Sequence, residues 1–255
     1  MAKSFEQSTR PEATRVPPFA KGGRKGGPCE SRTALLTFKN AVRVQESLLS
    51  GPERKLLLWV AARTPAWVNS DHLTLLGFFG QVMAGASYGL ARWHRWGLVL
   101  STAFLALNWF GDSLDGTLAR FRNQQRPRYG FYVDHIIDTF AAFALMAGLA
   151  VSGYIHPYVA IGLLVAFLML SIEVYLATYT IGKFQLSYWI FGPTELRIVL
   201  GIGNVALLYH PMAHVAGRQY RLFDVGGVIA IAVMTIMLIV SAIVHTVQLY
   251  REERI

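Results

Sequence analysis

The sequence predicts an all-α, polytopic membrane protein, with six transmembrane helices preceded by an interfacial amphipathic helix. Three observations predict this fold class. Apolar residues occupy 53% of the 255 positions and charged residues only 15%. The mean hydropathy of +0.37 is high for a soluble domain and typical of a membrane protein. Apolar runs close to the ~20 residues that a spanning helix needs recur after residue 70.

The first 38 residues form a basic segment that we expect to be disordered, because Lys, Arg, Gly, Pro and Ser are abundant in it. Residues 1–63 hold twelve Lys or Arg and five Glu, which gives a net charge of +7. A basic flank beside a first span favours a cytoplasmic N-terminus. We therefore expect an integral protein of the bacterial inner (cytoplasmic) membrane. Nucleic acid is not expected as a partner, because the rest of the chain is membrane-like.

Residues 39–65 are predicted to contain the interfacial helix. Ser50 and Glu53 have the spacing of a capping box, and Pro52 falls in the first turn. The residues that follow combine apolar and basic side chains, as a helix on a membrane surface does: Leu56, Leu57, Trp59 and Val60 with Arg54, Lys55 and Arg63. The alternative is a solvated linker helix.

The transmembrane domain is predicted over residues 66–250, followed by a short tail at 251–255. Gly153, His156 and Pro157 divide one long uncharged run into two spans. The six predicted spans are 72–92, 96–118, 132–153, 157–180, 194–210 and 224–248. With the N-terminus inside, the even-numbered spans end in the cytoplasm. The connection 119–130 then lies inside, and its four arginines and lack of acids agree with the positive-inside rule.

Four aspartates lie at the boundary of this connection. Asp112 and Asp115 are three apart and share one face of a helix, and Asp134 and Asp138 are four apart and share a face of the next helix. The short connection lets all four converge, and their charges would then repel unless divalent cations neutralise them. Ligands that offer only oxygen select Mg²⁺ or Mn²⁺, and one or two ions are expected. The alternative is a set of helix-end charges paired with the arginines.

The residues around these acids suit a phosphorylated ligand. Gly116, Ala119 and Gly130 leave room beside the acids. Arg120 offers a planar set of donors that fits phosphate. Acids, metal ions and an arginine around a phosphate are the elements of a phosphoryl-type transfer.

The acids and their neighbours resemble the signature of the CDP-alcohol phosphotransferase (CDP-alcohol phosphatidyltransferase) family, Asp-x-x-Asp-Gly-x-x-Ala-Arg followed after eight or nine residues by Gly-x-x-x-Asp-x-x-x-Asp. The chain reads DSLDGTLAR, nine residues, then GFYVDHIID. The family often has Pro-Asn-x-x-Thr before its first span, and here SDHLT keeps only Thr74. Ser70 and Asp71 are expected as helix N-caps in its place. The eight signature positions are Asp112, Asp115, Gly116, Ala119, Arg120, Gly130, Asp134 and Asp138.

The resemblance implies a six-helix membrane enzyme, usually a homodimer, that transfers a phosphate-linked group from a CDP-alcohol to another alcohol and releases CMP. Asp112, Asp115 and Asp134 would hold the cations on the pyrophosphate. Asp138 would help to bind metal and act as general base. The CDP moiety would be lined by Gly116, Ala119 and Arg120, with Gly130 and Thr74.

Substrates and other classes of function stay open in the sequence. We expect CDP-diacylglycerol as donor, with a polar acceptor such as glycerol phosphate, an inositol compound or serine. The alternative is a CDP-amino alcohol with diacylglycerol as acceptor. Two further classes are a divalent-cation transporter and an inactive scaffold. Glu195 and Arg197 either line the acceptor pocket or form an ordinary cap and charge pair. Glu173, inside the fourth span, is either a functional residue or the partner of a buried polar group. Lys183 is expected as a flanking residue whose charged end reaches the interface.

Overall fold

A computed structural model of the chain describes residues 42–44, 50–181, 183–185 and 193–254. The predicted disordered segment 1–38 lies outside these residues, and so does the side chain of Lys183.

Across the described ranges the protein is all-α, as predicted, apart from two small two-stranded sheets. The elements in chain order are β1 (Val42–Val44), α1 (Ser50–Arg63), α2 (Ser70–Ala91), α3 (Trp96–Phe121), α4 (Pro127–Ser152), α5 (Pro157–Ile181), β2 (Lys183–Gln185), α6 (Pro193–Tyr209), β3 (Met212–Val215), β4 (Arg218–Arg221) and α7 (Leu222–Glu252). β1 pairs with β2 in parallel, and β3 and β4 form an antiparallel hairpin between α6 and α7.

The start of α2 differs from the prediction. Asn69 is the N-cap, and its backbone N–H donates to His72 Nδ1 at 3.2 Å. The expectation that Ser70 and Asp71 cap this helix was wrong, because both side chains serve other partners. The Ser70 hydroxyl donates to the Asp115 carbonyl at 3.0 Å, and Asp71 pairs with Arg126.

The turn between α4 and α5 matches the prediction. Gly153 follows α4 with a φ of +83°, a left-handed conformation that favours glycine. Pro157 then opens α5, where its missing N–H costs nothing.

α2 packs closely against α3 through glycine. A Cβ added to Gly77 would lie 3.1 Å from the Asp112 backbone nitrogen, and one added to Gly80 would lie 2.7 Å from that of Asn108. Gly111 faces the Gly77 backbone from the opposite side. Small residues allow such backbone contact between membrane helices. The two helices therefore meet backbone to backbone beside Asp112.

The core fills the space between α2, α3, α4 and α6. A buried polar chain crosses it, since the Tyr88 hydroxyl donates to Asn204 Oδ1 at 2.8 Å and Asn204 Nδ2 donates to Thr102 Oγ1 at 3.0 Å. This chain joins α2, α6 and α3 and satisfies groups that would be costly to bury alone. The buried apolar residues around it include Ala84, Leu98, Leu105, Leu145, Leu149, Ile155 and Leu207.

In the described part of the chain, four helices are long and apolar enough to cross a membrane: α2, α4, α5 and α7. The other two predicted spans also form helices at the predicted positions. α6 has only 17 residues, and α3 carries polar and charged side chains through its second half. Crossing by α3 and α6 therefore remains a prediction.

α1 forms within the region predicted to hold the interfacial helix. Leu57 and Ala61 are buried against α3, whereas Leu56, Leu58 and Trp59 are exposed. The Arg63 guanidinium lies 3.9 Å from the centre of the Trp59 ring. An exposed face that combines apolar, aromatic and basic groups favours the interfacial interpretation over the solvated linker.

Candidate active site

Three of the four predicted acids converge. Asp112 lies on α3, and Asp134 and Asp138 lie one turn apart on α4. One carboxylate oxygen from each of them falls within 4.8 Å of the other two. The short connection 122–126 brings the end of α3 beside the start of α4, as the spacing of the acids predicts. We refer to Asp112, Asp134 and Asp138 as the acid cluster.

Asp115 lies beside the acid cluster but outside it. Its Oδ2 accepts a hydrogen bond from Thr74 Oγ1 at 2.6 Å, and its Oδ1 accepts from the Gly116 backbone N–H. Asp115 and Thr74 nevertheless share one cavity with the cluster, which we name the acid cavity. Its volume is about 10 Å³, and its lining comprises Thr74, Gly77, Phe78, Asn108, Asp112, Asp115, Asp134, Ile137, Asp138 and Ala141.

Arg197 reaches the acid cluster from α6. Its Nη2 lies 2.6 Å from Asp112 Oδ2, and the two side chains are 17% and 28% exposed. The pair is shielded enough for the attraction to matter more than in an exposed salt bridge. Arg197 therefore forms a charge pair with an acid of the cluster, and its place in an acceptor pocket stays a prediction. Glu195, two residues earlier, is buried at 8% exposure.

The remaining signature residues lie just beyond the cluster. The Arg120 guanidinium lies 3.4 Å from the position that a Cβ on Gly116 would take, so glycine here gives the arginine room. Arg120 Nη2 donates to Thr117 Oγ1 at 3.3 Å. Gly130 lies in the first turn of α4 with open space where a Cβ would be.

Ala119 lines a separate, larger cleft of about 470 Å³, which we name the outer cleft. Its other residues are Asn69, Ser70, Asp71, Leu118, Arg122, Gln124, Gln125 and Arg126. The hydrogen bond from Arg126 to Asp71 raises the pKa of the Arg126 guanidinium above its usual value. Arg122 donates to the Val68 carbonyl at 2.6 Å and so ties the start of α2 to the end of α3.

Two other predicted polar positions have local partners. Glu173 Oε1 lies 2.6 Å from His245 Nδ1, which joins α5 to α7. His135, between the two acids of α4, stacks against Phe131 and meets Tyr175 edge to face.

Sequence reasoning missed two residues near the site. Glu53 Oε1 accepts hydrogen bonds from Trp109 Nε1 (2.8 Å), Ser113 Oγ (3.1 Å) and Thr194 Oγ1 (3.1 Å), so its carboxylate joins α1 to α3 and α6 instead of being confined to a capping box. Asn108 is buried at 6% exposure and lines the acid cavity. The sequence did contain a signal for Asn108, because a polar amide stands inside an apolar run, four residues before Asp112.

The fold and the site together define a class, namely a helical membrane protein with a carboxylate cluster between two of its helices. The sequence model of the CDP-alcohol phosphatidyltransferase family matches residues 67–250, so the chain belongs to that family. It is an integral membrane protein of a family whose enzymes transfer a phosphate-linked group from a CDP-alcohol in phospholipid synthesis. A comparison with curated proteins gave no match.

The acid cluster suits the divalent cations that this family generally uses. The atoms that it offers to a metal ion are all carboxylate oxygens, and hard cations such as Mg²⁺ and Mn²⁺ prefer oxygen ligands. Three carboxylates so close together repel one another, and Arg197 contributes one positive charge against them. A divalent cation would complete the neutralisation.

Proposed function

We propose that the protein transfers a substituted phosphate group from a CDP-alcohol to the hydroxyl group of an acceptor alcohol and releases CMP. The observation that carries the proposal is the acid cluster, in which three signature carboxylates from two helices come within 4.8 Å. An arginine at 2.6 Å from one of them adds the positive charge that a phosphate ligand requires. The membership of the family supports the same reaction class.

Asp112, Asp134 and Asp138 would hold the divalent cation, with Asp115 beside them. When bound, the cation withdraws charge from the pyrophosphate and stabilises the departing CMP. The hydrogen bonds from Thr74 and Gly116 fix the orientation of the Asp115 carboxylate. Asp115 thus adds a fourth carboxylate beside the cation site, in an orientation held by these two hydrogen bonds.

In the proposed reaction the acceptor oxygen attacks the β-phosphorus of the CDP-alcohol. A new P–O bond forms to the acceptor, and the bond between the β-phosphorus and the bridging oxygen breaks. CMP leaves with the bridging oxygen and its electron pair. The acceptor proton passes to a carboxylate oxygen of Asp138, which acts as general base. Arg197 attracts the phosphate oxygens and places them against the acids.

The CDP moiety is assigned to the surface around Gly116, Ala119, Arg120 and Gly130. The outer cleft begins at Ala119 and has a volume of about 470 Å³, in the size range of small-molecule sites. Its backbone and side-chain amides offer partners for a base and a sugar. Thr74 enters the proposal through Asp115, which its hydroxyl contacts directly.

We also propose that the acid cluster faces the cytoplasm and that the protein forms a homodimer. The arginine-rich connection between α3 and α4 supports the orientation.

The exposed apolar faces of α5 and α7 are available to lipid or to a second copy. The mass of the protein in nanodiscs tests the dimer, and a monomer with full activity would contradict it.

The reaction is tested with purified protein in lipid nanodiscs, by measuring CMP release. CDP-diacylglycerol and CDP-ethanolamine are each supplied with a panel of acceptor alcohols, including glycerol phosphate, an inositol phosphate, serine and diacylglycerol. We expect one donor to support turnover, turnover to stop with EDTA, and Mg²⁺ or Mn²⁺ to restore it. The control is the Asp112→Asn variant in the same nanodiscs.

Full turnover in metal-free buffer would contradict the cation site. Absence of CMP release with every donor, together with Mn²⁺ flux into proteoliposomes, would favour the transporter instead.

A further inference from the structure

Asn108 is a buried amide next to the acid cavity. It lies on α3 one turn before Asp112 and therefore on the same face of the helix. Its Nδ2 donates to the Gly77 carbonyl of α2 at 3.0 Å. Because a carbonyl oxygen can only accept, this contact fixes which end of the amide carries the nitrogen. The amide oxygen Oδ1 is then held on the other side of the group.

Asn108 Oδ1 is buried and has no hydrogen-bond partner within the described part of the chain. A buried acceptor without a partner costs roughly 1–3 kcal/mol. The same condition holds for Gln81 Oε1 and Ser101 Oγ. Neither Gln81 nor Ser101 lines the acid cavity, however, whereas Asn108 does. Asn108 thus combines an unsatisfied oxygen with a position beside the carboxylates.

The acid cavity has about 10 Å³ of free volume. That is close to the least space that one water molecule needs, and a buried water needs about two to four polar partners. Asn108, whose oxygen lacks a partner, lines this cavity together with four aspartates, so polar partners for a water molecule are present. Mg²⁺ in proteins usually keeps several of its waters, so a shared water is compatible with a cation in the cluster.

We propose that Asn108 is a positioning residue of the cation site, whose amide oxygen accepts a hydrogen bond from a water molecule held between it and the cation. The proposal rests on the proposed function for the presence of a cation. A neutral amide supplies this acceptor without adding a further negative charge to four aspartates. Its contact with Gly77 holds the oxygen still, as outer partners of a metal site generally do.

The test is Mn²⁺ affinity, measured by electron paramagnetic resonance on the full chain in nanodiscs, with no substrate present. Asn108→Leu keeps the approximate volume and removes the oxygen, and we expect about tenfold weaker Mn²⁺ binding. Asn108→Asp keeps an oxygen but loses the N–H donated to Gly77, and we expect affinity at least equal to the unsubstituted protein. Gln81→Leu is the matched control and should stay within about twofold, because it removes an unsatisfied oxygen away from the cavity.

Two results would overturn the proposal. Equal affinity in Asn108→Leu and Gln81→Leu would show that the oxygen is unconnected to the cation. Equal weakening in Asn108→Leu and Asn108→Asp would show that Asn108 acts through Gly77 and packing alone. If Asn108→Leu does not fold, weak binding by folded Asn108→Asp is decisive by itself.

The same measurement separates this inference from the proposed function. Mn²⁺ binding without CMP release would contradict the reaction and leave the role of Asn108 standing. CMP release by the unsubstituted protein, with unchanged Mn²⁺ affinity in Asn108→Leu, would support the reaction and overturn the role of Asn108. Failure of the unsubstituted protein to bind Mn²⁺ would overturn both the cation site and Asn108 as its positioning residue.

Discussion

Asp138 and Asp134 belong to the same face of α4, and Asp138 lies one turn farther from the start of the helix. Both contribute an oxygen to the acid cluster, so contact with the cation alone does not separate their roles. Under the proposed function the two acids differ in depth. Asp138 lies farther along α4 on the same face, so we assign to it contact with both the cation site and the acceptor hydroxyl.

Asp138→Asn should lower turnover by at least about 10², because it keeps the shape and removes the basicity that a general base contributes. Binding of the CDP substrate should survive. Turnover and substrate affinity are measured separately in nanodiscs, with Asp112→Asn as the comparison. Asp112→Asn should weaken metal and nucleotide binding together. Near-normal turnover of Asp138→Asn at saturating substrate, or its recovery with added Mg²⁺, would argue against a general base.

At the scale of residues, the sequence predicted which acids share a helix face but not how each oxygen is used. Periodicity places Asp112 and Asp115 together, yet Asp112 joins the cluster and pairs with Arg197, whereas Asp115 accepts from Thr74. Those allocations depend on α2 and α6, which lie far away in sequence. Helical spacing carries no information about such partners.

α1 and α6 are held together by one side chain. The Glu53 carboxylate on α1 accepts from Thr194 at the start of α6 and from Ser113 on α3. Ser113 is the neighbour of Asp112, and Thr194 precedes Arg197 by one turn. The Glu53 contacts therefore join α1 to α3 and α6 next to the place where the pair of Asp112 with Arg197 joins α3 to α6.

Glu53→Ala should destabilise the protein by about 1–3 kcal/mol, because it leaves three donors without their charged acceptor. It should also reduce turnover, since Arg197 loses the support of its helix. Glu53→Gln keeps an acceptor oxygen, so its stability and turnover should lie between those of Glu53→Ala and the unsubstituted protein. Thermal midpoints and CMP release in nanodiscs provide the measurement, with exposed Lys55→Ala as control. An unchanged thermal midpoint in Glu53→Ala would contradict this role.

The crossing of α2 and α3 provides a second test at the scale of elements. Gly111→Ala would drive a Cβ into the Gly77 backbone, and overpacking of this kind costs typically about 1–3 kcal/mol. Gly89→Ala on α2 is the control, because a Cβ there meets nothing within 4 Å. Alanine favours helix over glycine by up to about 1 kcal/mol, so Gly89→Ala should be neutral or stabilising. Equal thermal midpoints in the two variants would refute the packing argument.

Helix boundaries were predicted within a few residues, because apolar runs and Gly or Pro punctuation mark them. The N-cap of α2 was not predicted correctly. Asn69 caps the helix, whereas the side chains of Ser70 and Asp71 contact residues outside α2. Capping propensity is a local preference. It is overridden where the same side chain finds a tertiary partner.

The whole molecule raises the question of how many helices cross the bilayer. Six crossings put the connection between α3 and α4 on the same side as the N-terminus, and the β3–β4 hairpin on the other side. If α3 and α6 did not cross, the α3–α4 connection would lie outside. Composition predicted the fold class, but α3 and α6 are ambiguous because the polar groups that build the site also lower their hydropathy.

Cysteine labelling resolves this in a Cys29→Ser background, since Cys29 is the only cysteine in the chain. Gln124→Cys should react with an impermeant reagent only after the membrane is permeabilised, because its loop is expected inside. Gln219→Cys in the hairpin should react in intact cells. Both positions are exposed, so access depends on the side of the membrane. Labelling of Gln124→Cys in intact cells would rule out the six-span arrangement with a cytoplasmic site.

The backbone contact between Gly77 and Gly111 has a consequence for how this protein can evolve. At this crossing main-chain atoms of the two helices touch directly, so the place of Asp112 depends on the absence of side chains at Gly77 and Gly111. A lineage that acquires a new acceptor would then keep the two glycines and vary residues that touch neither the acid cluster nor the outer cleft. Change of substrate and constancy of chemistry would thus depend on different residues.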